Sequence, residues 1–179
     1  MTGRTDVAHL RYFVIYPVIP PNFLYIRQHE SGNNHPTGET EREQLGHTLV
    51  QAIADETFAY LFGPSQVPIG EPDWISAWVA LSGEEIVGAT MTRDEWVSDL
   101  WVRSDSRRLG IGAKLLEQAE LEVRSRGHET LRLRVVKSNI RAVQFYESQG
   151  WRVHREFPHE KFGHAMFEMT KSNRTSLTL

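Results

Sequence analysis

The segment from Arg107 to Gly112 combines two arginines with two glycines, and it precedes a stretch of strong helical periodicity. Glycines let a backbone approach a ligand closely and direct successive N–H groups into one concavity. The helix behind them would add unpaired N–H groups and the positive end of its dipole. Arg107 and Arg108 would add positive charge. We therefore expect a site for a phosphate-bearing ligand, although a helix that starts tightly against a sheet would need the same glycines.

This turn lacks residues that two common nucleotide-binding motifs require. A dinucleotide fingerprint needs a third glycine at the position of Leu115. A P-loop needs glycine before its lysine and serine or threonine after it, whereas Lys114 lies between Ala113 and Leu115. A nucleotide site is therefore disfavoured, and measuring the affinity for ATP and NAD would test it.

A second pattern, N-x-x-A-x-x-F-Y-x-x-x-G-W, begins at Asn139 and ends at Trp151. The turn supplies the pattern R-x-x-G-x-G, and a helix and a strand separate the two. In this order the motifs resemble those of the GNAT superfamily of acyl-CoA-dependent N-acetyltransferases, over about residues 74–170. The resemblance implies transfer of an acetyl group from acetyl-CoA, as co-substrate, to a primary amine of a small molecule or peptide.

The resemblance also implies how the co-substrate binds. The strand that ends at Val102 would splay from the strand at Leu131 to Val136, and its free backbone would pair with the pantetheine arm. Asn139 would contact the same arm, and Tyr146 would lie beside the sulfur. The binding residues implied in this way are Leu100, Trp101, Val102, Arg107, Arg108, Leu109, Gly110, Ile111, Gly112, Ala113, Asn139 and Tyr146.

The chemistry of a thioester gives two catalytic tasks. The attacking amine must be neutral, and the departing thiolate must be stabilised or protonated, which suits a phenol near the sulfur. Tyr146 is our candidate for the general acid; the alternative is a packed aromatic like its neighbour Phe145. Direct attack needs no covalent intermediate, and the chain has no cysteine to form one.

The general base is less well defined by the sequence. Many peptide N-terminal acetyltransferases of this family carry a glutamate twelve residues before the tyrosine, and here that position is Arg134. Asp99, on the strand before the turn, is our candidate; a purely structural aspartate is the alternative. Glu95 and Asp94 are weaker candidates, and a water relay without a dedicated base stays open.

Other polar residues have less specific interpretations. Arg132 and Arg134 share a strand face and could attract an acidic acceptor, although solvated charge on a partly exposed strand is the favoured interpretation. The segment from His154 to His164 does not satisfy H-E-x-x-H, so we predict no metal and consider its loop a possible substrate rim. A CoA-binding regulatory or interaction module without catalysis is the main alternative function.

Composition limits the class of protein. The 179 residues carry 20 basic and 23 acidic side chains, a net charge of −3, which does not indicate a nucleic-acid or membrane partner. We predict one domain over residues 1–179, with a poorly defined segment at 1–30 and a flexible tail at 171–179. No signal peptide is recognisable, so cytoplasm is expected; a homodimer is left open.

The pattern of predicted elements is a mixed α/β fold. A helix with Leu45, Leu49, Ile53, Thr57 and Leu61 on one face precedes three antiparallel strands, in which most tryptophans should be core. Trp96 and Trp101, of opposite parity, should face opposite sides of their strand. A helix from Gly110, a parallel strand, a helix over 140–148 and a final strand pair follow. We therefore predict a mostly antiparallel central sheet with one splayed parallel pair and flanking helices.

Overall fold

The computed structural model of the protein describes residues 24–28, 41–63, 67–69, 77–83 and 85–172. These ranges exclude Trp74 and two segments whose sequence predicts a conformation, an extended chain in the apolar run at residues 12–16 and a loop in the stretch with Gly, Asn and Pro at 31–40. The helices are α1 (Glu41–Phe62), α2 (Ile111–Ser125) and α3 (Ile140–Ser148). The strands are β1 (Leu24–Gln28), β2 (Trp78–Ser82), β3 (Glu85–Arg93), β4 (Trp96–Val102), β5 (Thr130–Val136), β6 (Arg152–Pro158) and β7 (Ala165–Ser172). None of the helices within the described ranges is long and apolar enough to span a membrane.

The seven strands form one sheet in the order β1-β2-β3-β4-β5-β7-β6. Neighbouring strands are antiparallel except β4 and β5, which are parallel and connected through α2. These two strands form a single ladder pair, Trp96 with Arg132, next to a hydrogen bond of 3.0 Å from the Arg132 N–H to the Glu95 carbonyl. The predicted mixed sheet with a splayed parallel pair is confirmed.

A β-bulge at Ser98 changes the orientation of the residues before it. Val97 pairs with Thr92 and Asp99 pairs with Met91, so Ser98 is an extra residue on β4. Val97 packs in the core on the side of α2, whereas Trp101 packs against the cluster that contains Val50 of α1. The expectation that Trp96 and Trp101 face opposite sides is therefore wrong, because the extra residue brings both onto the α1 side of the sheet.

Helical spacing predicts an apolar face on α2, and all five of its residues are buried: Ile111, Leu115, Leu116, Ala119 and Val123. The row predicted on α1 is buried only at Ile53, and Leu45 is 58% exposed; the other buried apolar residues of α1 are Val50 and Ala54. Residues four apart are separated by 400°, so a row with this spacing drifts by about 40° at each step. Over the sixteen residues from Leu45 to Leu61, the drift carries one end of the row away from the sheet.

Two other expectations need correction. The described tryptophans of β2 and β4 are only half-buried, and Trp151 is the one that is fully enclosed, with its indole N–H donating to Glu120 at 2.9 Å. The expected flexible tail begins too early, since Lys171 and Ser172 belong to β7. Lys171 is held there by its ammonium group, which donates to both oxygens of Glu120 at 2.8 and 2.7 Å.

Glu120 therefore connects three donors inside the fold, because Arg124 also donates to it at 3.0 Å. We expect Glu120→Ala to lower the free energy of unfolding by about 3 kcal/mol, since it leaves Lys171 and the Trp151 N–H without their acceptor. Urea denaturation measures this loss. The exposed neighbour Glu117 on the same helix is the control; an equal loss in Glu117→Ala would show that the network around Glu120 is not responsible.

Candidate active site

The gap between β4 and β5 is the central feature of the site. Beyond the pair of Trp96 and Arg132, the described residues show no further ladder pair between these strands. On its other side, β4 stays paired with β3 up to Val102, and β5 stays paired with β7 up to Val136. The facing edges of β4 and β5 thus present unpaired backbone groups, which an extended ligand can use as a third strand.

The glycine turn lies at the end of β4 and has a defined backbone conformation. Arg108 and Gly110 have positive φ angles of 63° and 79°. The first hydrogen bond of α2 runs from the Lys114 N–H to the Gly110 carbonyl at 3.1 Å. The preceding N–H groups, those of residues 111–113, are therefore not used within the helix. They lie where the sequence predicts an anion site and are available to a ligand.

The side chains around this turn have separate structural roles. Arg107 donates through Nε to the Val102 carbonyl at 3.0 Å, so it holds the turn against β4. Arg108 and Leu109 are exposed, and Ile111 is buried beneath the helix. A Cβ on Gly112 would lie 3.5 Å from the Phe145 ring, which is an ordinary van der Waals contact, so packing against α3 does not by itself require this glycine. Arg108 is thus the arginine of the turn that is available to a ligand.

The conformation of Gly110 predicts a binding defect. A Cβ there would meet nothing within 4 Å, so Gly110→Ala acts through backbone strain at φ +79° alone. We expect about tenfold weaker binding of acetyl-CoA by calorimetry, because a strain of about 1–2 kcal/mol would distort the turn. Gly127→Ala is the matched control, since it has φ +88°, equally open space and a position at the far end of α2. Equal weakening in both variants would contradict a role for the turn.

Asn139 lies at the start of α3, close to the end of β5. Its side-chain oxygen accepts from the Ala142 N–H at 3.3 Å and caps the helix. Its amide nitrogen donates to no acceptor within the described part of the chain. The residue expected to contact pantetheine is therefore fixed in orientation, with one donor still available.

Tyr146 projects from α3 into the core, where it packs with Val97, Val143 and Trp151 and is 9% exposed. Burial, together with the negative charge of Asp99, raises the pKa of its phenol well above the usual value. The group therefore stays protonated at neutral pH and can act as a proton donor. The charge of Asp99 thus acts on this phenol, but within the described ranges the two side chains make no hydrogen bond with each other.

Asp99 lies on β4, three residues beyond the point where β4 and β5 pair. Burial raises the pKa of its carboxyl group, and hydrogen bonds from Trp101 and Ser98 oppose that shift only in part. The Trp101 indole donates to Oδ1 at 3.1 Å, which fixes the carboxylate. A fixed carboxyl group with a raised pKa is suited to accept a proton from an amine. Asp94 and Glu95 lie at or next to the turn before β4, on the far side of the pairing point.

One wall of the site comes from α1, which lies in the region, residues 1–73, that we expect from the sequence to line the acceptor pocket. Phe58 packs edge-on against Trp101, with ring centroids 6.5 Å apart. The Tyr60 hydroxyl lies 2.7 Å from the Ser138 hydroxyl, and Phe62 packs on Phe162 at 5.0 Å. The end of α1 thus contacts both the β5–α3 loop and the β6–β7 loop. No motif marks these residues, because their contacts are distant in sequence.

The histidine-containing loop is organised by its own backbone. His159 accepts through Nδ1 from the N–H groups of Lys161 and Phe162, at 3.2 and 3.3 Å. It also packs against His164, with centroids 4.9 Å apart. Within the ranges that the structure covers, no three His, Asp or Glu side chains are placed to hold a metal ion.

Comparisons with known proteins agree with this geometry. A model of the acetyltransferase (GNAT) domain family matches residues 74–173. The chain therefore belongs to the GNAT acetyltransferase family. A search of curated protein sequences gave no significant match.

Solved structures share the fold at low sequence identity. A GCN5-related N-acetyltransferase from Rhodopseudomonas palustris is 16% identical with a TM-score of 0.62, covering 88% of this chain and 99% of that one. The ribosomal-protein-S18-alanine N-acetyltransferase from Escherichia coli is 20% identical with a TM-score of 0.55, covering 88% and 99%. A putative streptothricin acetyltransferase from Bacillus anthracis, solved with acetyl coenzyme A, is 19% identical with a TM-score of 0.50, covering 54% and 61%.

Proposed function

We propose that this protein transfers the acetyl group of acetyl-CoA to a primary amine of a small molecule or peptide by direct attack. The observation that carries the proposal is the β4–β5 gap, which has an anion-binding turn at one end and the Asp99–Tyr146 pair beside it. Membership of the acetyltransferase family supports the reaction class.

The residues around the gap fit acetyl-CoA as co-substrate. The unpaired edge of Leu100 to Val102 can pair with the amides of the pantetheine arm, and Asn139 retains a donor for the same arm. The N–H groups of residues 111–113 and the exposed Arg108 can bind the pyrophosphate. The neighbour solved with acetyl coenzyme A has this fold, which supports the assignment.

The catalytic pair suits direct transfer. The amine nitrogen forms a bond to the acetyl carbon as the carbon–sulfur bond breaks. Asp99, directly or through one water, accepts the proton that the amine loses. Tyr146 donates its phenolic proton to the departing thiolate. Holding both substrates in one gap contributes a large part of the acceleration.

The acceptor class is open between small molecules and peptides. Among the structural neighbours, one is described as acting on an alanine of a ribosomal protein and another as a putative streptothricin acetyltransferase. At 20% and 19% sequence identity, these two neighbours do not indicate whether the acceptor of this chain is a small molecule or a peptide. Arg134 at the usual glutamate position weakens the comparison with peptide N-terminal acetyltransferases.

The test is release of the CoA thiol from acetyl-CoA, followed colorimetrically across a panel of amines, with mass spectrometry of the products. We expect amine-dependent thiol release and a mass increase of one acetyl group on the acceptor. Tight acetyl-CoA binding without turnover on any amine would replace the proposal with a non-catalytic CoA-binding module.

A further inference from the structure

Arg134 has an unusual environment on the α1 side of β5. Its guanidinium carbon lies 4.9 Å from the centroid of the Trp96 ring and 5.3 Å from that of the Phe157 ring. Aromatic rings can stabilise the charge through the faces of the planar group. They cannot accept its in-plane N–H hydrogen bonds, so the five donors at its edge still require acceptors.

The neighbouring arginines already have their acceptors. Both oxygens of the buried Glu168 are taken, Oε1 by Arg132 and Oε2 by Nε and Nη2 of Arg155 at 2.9 and 2.7 Å. Burial alone would raise the pKa of Glu168, but the hydrogen bonds from Arg155 and Arg132 hold it below its usual value, so the carboxylate stays ionised. Glu95 lies 3.9 Å from Arg132 as well.

Arg132 and Arg155 are therefore paired with carboxylates, whereas Arg134 is not. Within the described part of the chain it makes no ion pair or hydrogen bond. Its side chain is exposed, and its guanidinium lies close to two aromatic rings. An exposed guanidinium with open donors has the features of a bidentate anion site.

The position of Arg134 connects it to the proposed reaction. It lies on β5 two residues beyond the pair of Trp96 and Arg132, and Asp99 lies on β4 three residues beyond it. At about 3.3 Å per residue, both are within roughly 10 Å of the point where the strands begin to diverge. Because the bulge at Ser98 brings Asp99 to the α1 side, both residues border the same side of the gap.

We propose that Arg134 is a specificity-determining residue that binds an anionic group, a carboxylate or a phosphate, carried by the acceptor amine. This inference rests on the proposed function. Arg134 orients the acceptor next to Asp99 and takes no part in bond making. The acceptors would thus be amines with an anion a few bonds from the nitrogen.

The experiment compares matched amines that differ only in the anion. Glycine is assayed against glycinamide and γ-aminobutyrate against its amide for the carboxylate, and phosphoethanolamine against ethanolamine for the phosphate. Wild type, Arg134→Gln and Arg134→Lys are compared. Arg152→Gln on β6 is the control, because it removes an exposed cation that does not lie against the Trp96 and Phe157 rings.

In either the carboxylate pairs or the phosphate pair, we expect wild type to have a kcat/KM for the anionic amine that is about tenfold or more higher than for the neutral amine. In Arg134→Gln the preference should fall to near one through the KM of the anionic amine, with the neutral amine and acetyl-CoA changed less than about threefold. The Arg134→Lys variant should retain part of the preference for the anionic amine, and Arg152→Gln should retain all of this preference. A wild type without preference in any pair, or a preference that survives in Arg134→Gln, would overturn the inference.

A binding measurement separates this outcome from failure of the proposed function. The same amines are titrated calorimetrically into the CoA-loaded protein. If no amine is acetylated, the proposed function fails. The anion site is still supported in that case if an anionic amine binds wild type at least tenfold more tightly than it binds Arg134→Gln. Equal binding to both proteins contradicts the anion site whether or not turnover occurs.

Discussion

Tyr146→Phe is expected to lower kcat by about 10²–10³-fold while the affinity for acetyl-CoA changes little. The substitution removes only the hydroxyl, and the ring keeps its contacts with Trp151 and Phe145 at 6.3 and 5.3 Å. Loss of a positioned general acid costs a factor of this order. Steady-state thiol release and calorimetric binding of acetyl-CoA measure the two quantities.

The control for this variant is Tyr60→Phe, which removes a different phenol at the rim of the same site. It should cost much less, because Tyr60 contacts Ser138 and has no role in proton transfer. Since the pKa of the Tyr146 phenol is raised, wild-type activity should not decline near the usual ionisation of tyrosine. Unchanged turnover in Tyr146→Phe would remove this residue from the mechanism and leave it a core aromatic.

Asp99→Asn is expected to lower kcat/KM by about 10²-fold and to change its dependence on pH. A base must be ionised to accept a proton, and the pKa of Asp99 is raised. Wild-type activity should therefore rise with pH through an acid limb that lies above the usual aspartate range. In the variant this limb should disappear. A pH series of kcat/KM from about 4 to 9 measures both effects.

Stability distinguishes this catalytic role from a structural one. A group whose pKa is higher in the folded than in the unfolded state stabilises the fold below the unfolded pKa, and that contribution is lost as pH rises through the folded pKa. At neutral pH the ionised Asp99 is thus unfavourable to folding, and asparagine keeps the acceptor for the Trp101 indole. Asp99→Asn should be at least as stable as wild type in thermal unfolding.

The matched control for Asp99 is Asp94→Asn at the exposed β3–β4 turn, where φ is 52° and asparagine is well tolerated. It should leave activity near that of wild type. If Asp94→Asn abolishes the acid limb and Asp99→Asn keeps it, the assignment of the base is reversed. If neither variant has an effect, a water relay without a dedicated carboxylate remains as the route.

The parts of the fold that depend on local sequence were predictable. The bounds of α3, the buried face of α2 and the left-handed glycine at 127 all follow from spacing within one or two turns. The bulge at Ser98 was not predictable, because it depends on the register between β3 and β4 and no turn residue in the sequence marks it. The buried face of α1 was predicted only in part, because a row with four-residue spacing drifts around the helix and leaves Leu45 exposed.

The candidate site divides in the same way. Motifs located the glycine turn, Asn139 and Tyr146, because their spacing along the chain is diagnostic. The sandwich around Arg134 joins residues from three strands, and sequence offered only the shared face of Arg132 and Arg134. Glu168 gave no signal at all, although it decides which arginines are neutralised.

The bulge on β4 has a consequence for aligning this chain with its relatives. The number of residues between Asp99 and the glycine turn is not changed by the bulge. The number of residues between the β3–β4 turn and Asp99 is one larger than it would be in a strand without a bulge. If the sequences were aligned without a gap from the β3–β4 turn onwards, Asp99 would be matched to a position next to the correct one. The side chain at that position points to the other side of the sheet. Relatives without the extra residue therefore need a one-residue gap at Ser98 before their catalytic positions can be compared.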